Sequence, residues 1–317
     1  MRCGVDVGGT NIALGLVDDR NAVGPRVKLA TPNSGPHAVV EAIRVGVQRL
    51  LAKAGAAMAD LSVVGVGAPG PIEGGVVRTA PNLAGWSGPV PLQALLQAAL
   101  GRPVVVDNDV TAAVYGEWVA GAGAGTRHLL GVWMGTGVGG GLVLDGRPFR
   151  GATGGAGEFG HLTVRQGGAL CGCGRRGCVE AYAGRASMEA VVATIVAKGE
   201  HTALEDLRVR AGRSGYTAKV WAGALDAGDP LATELIEDAV SAVGAGIGSA
   251  VNLLDICDVV VGGGLTDRLG APLAERLARA ARRHLVVADH LLAVRVSTLG
   301  DDAGIVGAAG LAADAPA

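Results

Sequence analysis

The chain has 317 residues, with 27 Lys and Arg against 29 Asp and Glu and a formal net charge of −2. Hydrophobic residues make up 49% and charged ones 18%, enough apolar material for one large core or two ordinary ones, which excludes a disordered chain. Interspersed charge without a basic patch leaves nucleic acid no electrostatic footprint, and 54 glycines beside 13 prolines, with no three-residue period, exclude collagen.

The N-terminal stretch 1–10 lacks the long apolar core of a secretory signal. Cys3–Val7 reads as a strand, Gly8-Gly9-Thr10 as a turn, and Ile12–Val17 as a second strand ending at Asp18-Asp19. Pro36–Ala54 follows the helical period, with Val39, Val40, Ile43, Val47, Leu50 and Leu51 on one stripe. Val63–Val66 is a strand running into Gly67-Ala68-Pro69-Gly70. A helix over Pro91–Leu100 leads to the β-branched run Val104–Val106, which stops at Asp107-Asn108-Asp109. A further helix begins near Thr111, and Asp109 is placed to serve as its N-cap.

The opening plan then recurs. His128–Met134 is a strand, Gly135–Gly140 a glycine turn, and Gly141–Leu144 a second strand closed by Asp145-Gly146. Val5–Thr10 and Val132–Gly137 share one strand–turn design, which predicts two α/β lobes on related frameworks. Gly151–Gly157 reads as a mobile loop. Helices follow at Ala186–Lys198, Ala218–Ala227 and Pro230–Leu254, then a strand at Val259–Val261 ending in Gly262-Gly263-Gly264. A basic amphipathic helix runs through Arg283, a last strand covers Ala293–Thr298, and a small-residue helix follows Gly300–Gly304. The uncharged, apolar-leaning run Ala239–Leu254 is too short for the roughly 20 residues of a membrane span. Its small residues suit close packing against another lobe or chain. No membrane association and a cytoplasmic location are expected.

The glycine turns carry the first chemistry. Gly135–Gly140 satisfies G-x-G-x-x-G, but a strand follows where a dinucleotide site requires a helix. What the residues offer is bare backbone and the Thr136 hydroxyl, suited to a phosphate. Gly8-Gly9-Thr10 offers the same, and there the strand also delivers Asp6. A carboxylate beside a phosphate loop calls for a divalent cation, so the pair reads as a metal–nucleotide site.

The cysteines carry the second. Of five, Cys3 and Cys257 border apolar runs and read as core thiols. The array His161-x9-Cys171-x-Cys173-x4-Cys178 supplies three thiolates and an imidazole, a closed tetrahedral Zn²⁺ site and hence a structural one. Gly172, Gly174 and Gly177 are expected to let the loop turn around the ion. That loop sets Glu158, His161 and Glu180 as a polar wall suited to adjacent hydroxyls.

Taken in order, DVGGTN (Asp6–Asn11), APNLAGW (Ala80–Trp86), VDNDVTAA (Val106–Ala113), MGTGVGGG (Met134–Gly141), EFGH (Glu158–His161), CGCGRRGCVE (Cys171–Glu180), VGGGL (Val261–Leu265) and GDDAGIVGAA (Gly300–Ala309) resemble the ROK family. That family comprises bacterial sugar kinases, sugar-sensing repressors and uncharacterised members. The resemblance covers nearly the whole chain. It implies the actin-like (ribonuclease H-like) ATPase fold, two α/β lobes with a ligand cleft between them. The expected division is a small lobe at 1–108, completed by the helix at 303–317, and a large lobe at 109–302 carrying the zinc loop.

Carried over by position, the resemblance makes Asp109 the general base toward a sugar 6-hydroxyl. It makes Gly70, Asn108, Asp109, Glu158, His161 and Glu180 sugar ligands. Asp6, Gly9, Thr10, Gly135, Thr136 and Gly137 match the phosphate and Mg²⁺ site, Gly263 and Gly264 the adenosine contact, and His161, Cys171, Cys173 and Cys178 the zinc ligands. The implied activity is ATP-dependent phosphorylation of a hexose, glucose first. Fructose, mannose, allose or N-acetylglucosamine as acceptor, polyphosphate as donor, and a non-catalytic sugar sensor are the alternatives. The implied partners are a small sugar and a nucleotide, with no nucleic acid, and a homo-oligomer, dimer or tetramer. Thr111 stands where many relatives carry a second Asn. Only five residues precede Asp6, so the DNA-binding helix-turn-helix of the repressor branch is not expected.

Overall fold

β-Branched runs closed by glycine turns become strands, and amphipathic stretches bounded by Pro and Gly become helices. A computed structural model describes residues 1–80 and 82–315. In chain order the elements are β1 (Arg2–Val7), β2 (Asn11–Val17), β3 (Val23–Ala30), α1 (Pro36–Ala54), β4 (Val63–Ala68), β5 (Ile72–Glu73), β6 (Val76–Val77), α2 (Leu92–Leu100), β7 (Val104–Asn108) and α3 (Asp109–Ala120). They continue with β8 (Leu129–Met134), β9 (Val138–Leu144), β10 (Arg147–Pro148), α4 (Glu180–Ala183), α5 (Arg185–Ala197), α6 (Ala203–Arg210), α7 (Ala218–Asp226), α8 (Pro230–Leu254), β11 (Asp258–Gly262), α9 (Gly264–Arg282), β12 (Ala293–Val296) and α10 (Ala303–Ala313).

Packing groups these elements into two units. The first takes Met1–Arg127, Gly141–Gly157 and the chain from Thr298 onward; the second takes His128–Gly140 and Glu158–Ser297. The division expected after Asn108 falls at the β7–α3 junction, and α3 stays with the first unit because it packs on α10.

In the first unit the sheet order is β3-β2-β1-β4-β7. β1, β2 and β3 run antiparallel, whereas β4 lies parallel to β1 and β7 parallel to β4. α1 packs on β2 and β3, α2 on β7, and Val5, Ile12, Leu14, Ile43, Leu50 and Leu92 are fully buried among them. α10 lies against β1, β4 and α3. Glycines make that approach possible. A Cβ on Gly4 would stand 1.9 Å from the Ile305 carbonyl oxygen, one on Gly65 1.8 Å from that of Ala308, and one on Gly307 1.6 Å from that of Ala112.

In the second unit β8 pairs parallel with β11, and β11 with β12, within the order β10-β9-β8-β11-β12. β9 carries the chain from the second unit into the first at Gly141. α8 packs on α9. Its small-residue face is used inside this unit: a Cβ on Gly244 would meet Ala280 at 2.4 Å, and one on Gly246 the Phe159 ring at 2.8 Å. Among the described residues no helix is long and apolar enough to cross a membrane.

Candidate functional site

In the first unit, Asp6 sits one residue before the end of β1, and its carboxyl lies against the start of α10, where a Cβ on Gly304 would come within 2.9 Å of it. Burial, with the Asp109 and Asp301 carboxylates nearby, raises its pKa to about 7, against a smaller opposing pull from Lys28. The adjoining turn is braced from within. The Gly8 N–H donates to the Asn11 carbonyl at 2.9 Å and the Thr31 hydroxyl to the Gly8 carbonyl at 2.6 Å, while Gly9 and Thr10 stay exposed.

At the end of β7 the structure corrects the local reading of Asp109. The N-cap of α3 is Asn108, whose Oδ1 accepts from the Thr111 N–H at 2.9 Å. Its Nδ2 donates to the Gly70 carbonyl at 3.1 Å and to Asp109 Oδ1 at 3.0 Å. Asp109 is the first helical residue, and the same Oδ1 accepts from the Val110 N–H at 2.8 Å. One amide thus caps the helix and orients the neighbouring carboxylate. Gly70 has no alternative: its φ is 92° and a Cβ would stand 1.9 Å from the Thr79 carbonyl oxygen.

One residue earlier, buried Asp107 receives Arg150 through two hydrogen-bonding contacts, at 2.6 and 2.7 Å. The Arg150 backbone carbonyl in turn accepts from the Ala156 N–H at 3.1 Å. The segment 151–157, expected as a mobile loop, is therefore tied to the strand end that bears Asn108 and Asp109.

In the second unit the glycine turn is shorter than its sequence promises. β9 begins at Val138, so Gly139 and Gly140 are strand residues and only Gly135–Gly137 turn. The Gly135 N–H donates to the Gly137 carbonyl at 2.9 Å. The start of α5 fastens onto this turn, with the Arg185 N–H on the Gly135 carbonyl at 3.1 Å and the Ala186 N–H on that of Thr136 at 2.9 Å. Beside it opens a small cleft walled by Met134, Met188, Trp221 and Leu265 and edged by Gly135 and Gly264. Gly263 is required by the fold, with φ at 98° and the Met134 carbonyl oxygen 2.4 Å from any Cβ. Gly135 and Gly264 differ. Neither adopts a left-handed conformation, and a Cβ would meet nothing closer than 4.0 Å at the first and nothing within 4 Å at the second. The space beside them is open on the cavity side, which is what a ligand lying against bare backbone requires.

The cysteine loop brings His161, Cys171, Cys173 and Cys178 together, with all four ligand atoms within 4.8 Å of one another. Cys173 Sγ stands 3.8 Å from Cys178 Sγ, and Cys171 Sγ 3.8 Å from His161 Nδ1. A tetrahedron with metal–sulfur bonds of about 2.3 Å has edges of about 3.8 Å, so the group has the size and the donors to hold a metal ion. The Arg175 guanidinium lowers the Cys173 thiol to about 6, whereas burial pushes Cys171 up to about 12. Of the loop glycines, Gly177 is required (φ 79°, with the Arg165 carbonyl oxygen 1.7 Å from a Cβ) and Gly174 has φ 84°. Gly172 is not: it has neither a left-handed φ nor a close neighbour.

His161 turns its other nitrogen outward, Nε2 lying 4.0 Å from Glu158 Oε2. Glu180, the first residue of α4, accepts from the Val138 N–H at 2.9 Å through Oε2, and its Oε1 lies 3.6 Å from Cys171 Sγ. A Cβ on Gly137 would fall 2.2 Å from that Oε2. The structure thus links the cysteine loop, Glu180 and the glycine turn within one unit, and brings Glu158 and His161 together on the loop's other side.

A model of the ROK family matches residues 2–315. The chain belongs to the ROK family. It is 36% identical over 318 residues to a glucokinase of Streptomyces coelicolor, covering 98% of this chain and 96% of that protein. Among solved structures it resembles a ROK family glucokinase from Streptomyces griseus in complex with glucose and AMPPNP, at 34% identity and TM-score 0.85, covering 99% of both chains. It also resembles a ROK hexokinase from Thermus thermophilus, at 36% identity and TM-score 0.78, covering 97% and 96%. The two-lobed α/β architecture is the actin-like ATPase fold of this family.

Several residues of this ROK protein's site escape sequence reading. Asp107 and Asp301 lie inside the family motifs, but only packing pairs the first with Arg150 and brings the second near Asp6, and Met188 and Trp221 look like ordinary core. Arg185 carries no motif at all.

Proposed function

We propose that this protein is an ATP-dependent glucokinase, transferring the γ-phosphoryl group of ATP to the 6-hydroxyl of glucose. The observation that carries the reading is Asp109, a carboxylate pinned at Oδ1 by its own helix start and by the Asn108 amide. It is joined by kinship to glucokinases along nearly the full chain. A base for this reaction must be held in place, because phosphoryl transfer is governed by positioning and charge stabilisation. Asp109 accepts the hydroxyl proton as attack proceeds, a task that needs no unusual pKa. Glu158, His161 and Glu180, with Asn108 and the Gly70 backbone, are assigned to the sugar hydroxyls.

On the donor side, Gly9, Thr10 and Gly135–Gly137 take the phosphates, and the cavity beside Gly263 and Gly264 takes the adenosine. Asp6 is the residue to hold Mg²⁺. Its raised pKa marks a carboxylate group short of positive charge, and bound Mg²⁺ supplies that charge to the phosphates. Zinc fits the three sulfurs and one nitrogen of the loop. In a closed four-ligand site it orients His161 rather than entering the reaction. We place the protein in the cytoplasm and assign it a homo-oligomeric state, dimer or tetramer, which sedimentation measures.

The test is a panel of glucose, mannose, fructose, allose and N-acetylglucosamine at saturating Mg-ATP, with ADP release and the phosphorylated product both followed. Glucose should give the highest kcat/KM, and Asp109→Ala should lower turnover on the order of 10³-fold while glucose still binds. No ADP from any sugar, or a tenfold preference for another sugar, overturns the assignment.

A further inference from the structure

Among the described residues, Arg185 is the single charged one lining the cleft in the second unit. Its position is fixed three times over. Its backbone N–H holds the Gly135 carbonyl at 3.1 Å, its Nη2 donates to the Thr136 hydroxyl at 3.0 Å, and its Nε lies 3.6 Å from Glu189 Oε1. Glu189 is itself braced, accepting from the Tyr216 N–H at 3.1 Å. The side chain nevertheless keeps 44% of its surface exposed. A guanidinium has five N–H donors in a rigid fork, and the Thr136 hydrogen bond uses one of them.

The surroundings say what the remainder face. Arg185 shares the cleft with the apolar side chains Met134, Met188 and Trp221, the kind of lining that takes a heterocyclic base. Beside it is the turn Gly135–Gly137, which the proposed function gives to the phosphates. Arg185 touches both, lining the cleft and bonding to the Thr136 hydroxyl of the turn.

We infer that Arg185 is a nucleotide-positioning residue, pairing with the α- and β-phosphates of ATP and equally with those of the product ADP. The inference rests on the donor half of the proposed function and extends it to a residue outside every motif. The charges it meets are present in donor and product alike, so its contribution is uniform binding, which sets KM for ATP and leaves the chemical step alone.

The experiment measures affinities of the full-length protein for adenosine and Mg-ADP by calorimetry, and in parallel the sugar kinase kinetics, for wild type and for Arg185→Ala, Arg185→Gln and Arg185→Lys. Arg185→Ala should weaken ADP about tenfold and raise KM for ATP to match, with adenosine affinity, KM for glucose and kcat each moving less than twofold. Gln, which keeps a donor for Thr136 but not the charge, should weaken ADP as Ala does. Lys should recover most of the affinity. ADP affinity unmoved in Arg185→Ala overturns the inference while wild-type turnover leaves the kinase reading standing. Equal losses for adenosine and ADP, or rescue by Gln as good as by Lys, also overturn it, because they report a turn that has lost its brace. Conversely, a wild type that binds ADP through Arg185 but phosphorylates no sugar keeps this inference and removes the other.

Discussion

The two sets of residues assigned to the sugar are held in place by different physics. Asn108 and Asp109 are positioned by what every α/β protein has, a strand end and a helix start, with one amide serving the Thr111 N–H, the Gly70 carbonyl and the Asp109 carboxylate. Glu158, His161 and Glu180 lie in and around a loop with little regular structure, which brings together four side chains able to grip one ion. A capped helix is worth about 1 kcal/mol at its cap and forms with the rest of the fold. A structural zinc site contributes on the order of ten times as much, but all of it depends on one ion. The first arrangement should therefore fail by degrees and the second all at once.

The largest effect follows from removing a buried ligand. Cys178 is fully buried, so Cys178→Ser should abolish the single zinc per chain expected of the wild type by elemental analysis. It should also lower kcat/KM for glucose by at least 10–100-fold, the scale of losses seen when the support of a metal ligand is removed. A Cys178→Ser protein with full metal and full activity would show that the loop is ordered by something other than an ion.

Asn108 gives an intermediate effect that can be split in two. Asn108→Ala should cost about 1 kcal/mol of stability as the cap is lost, and about tenfold in kcat as Asp109 loses its amide partner. Asn108→Asp separates the roles. Aspartate caps a helix as well as asparagine does, so thermal stability should return. It cannot donate to Gly70 or Asp109, and its charge disfavours ionisation of the base beside it, so kcat should stay low. Recovery of both together would mean that Asn108 acts on Asp109 only through the helix.

The same contrast explains what the sequence reveals. Local signals are legible: Pro36 opens α1 and left-handed Gly55 closes it, Asp229 and Pro230 open α8, and these helices match their predicted limits. The cysteine array is legible because one imidazole and three thiols at short spacing are a metal-ligand pattern in themselves. What is hidden depends on side chains meeting across the fold. β3 carries Pro25, Arg26 and Lys28 and buries only Val27, so its pattern is that of a loop although it pairs along β2 as the edge strand. α6 buries only Leu204 and stands on its Thr202 cap. Glu180 reaches the Val138 N–H from 42 positions away, and Asp109 is read as a cap because its neighbour's amide competes for that role within one residue. The glycine surplus divides along the same line. Gly135 and Gly264 stand beside open space, while Gly65, Gly244 and Gly307 are consumed by helix packing that composition alone cannot show.

The smallest effect tests whether the strand-end side also has a cation to wait for. An unfolded Asp titrates near 3.9, whereas Asp6 in the folded protein is raised to about 7 by burial and by the Asp109 and Asp301 carboxylates. Between those two values the folded state holds a proton that the unfolded chain has released. Asp6 therefore makes stability fall as pH rises from about 4 to about 7, with no further change above that. In metal-free buffer the wild type should melt a few degrees lower at pH 8 than at pH 6, and the slope should be shallower in Asp6→Asn, with His and other groups common to both proteins cancelling in the comparison. Mg²⁺ at pH 8 should raise Tm in the wild type and much less in Asp6→Asn, because a cation stabilises the ionised carboxylate that burial and its neighbours disfavour. Identical pH slopes with an identical Mg²⁺ response in the two proteins would place the cation elsewhere. The strand end would then resemble the zinc loop less than its charges imply, being complete in the protein alone.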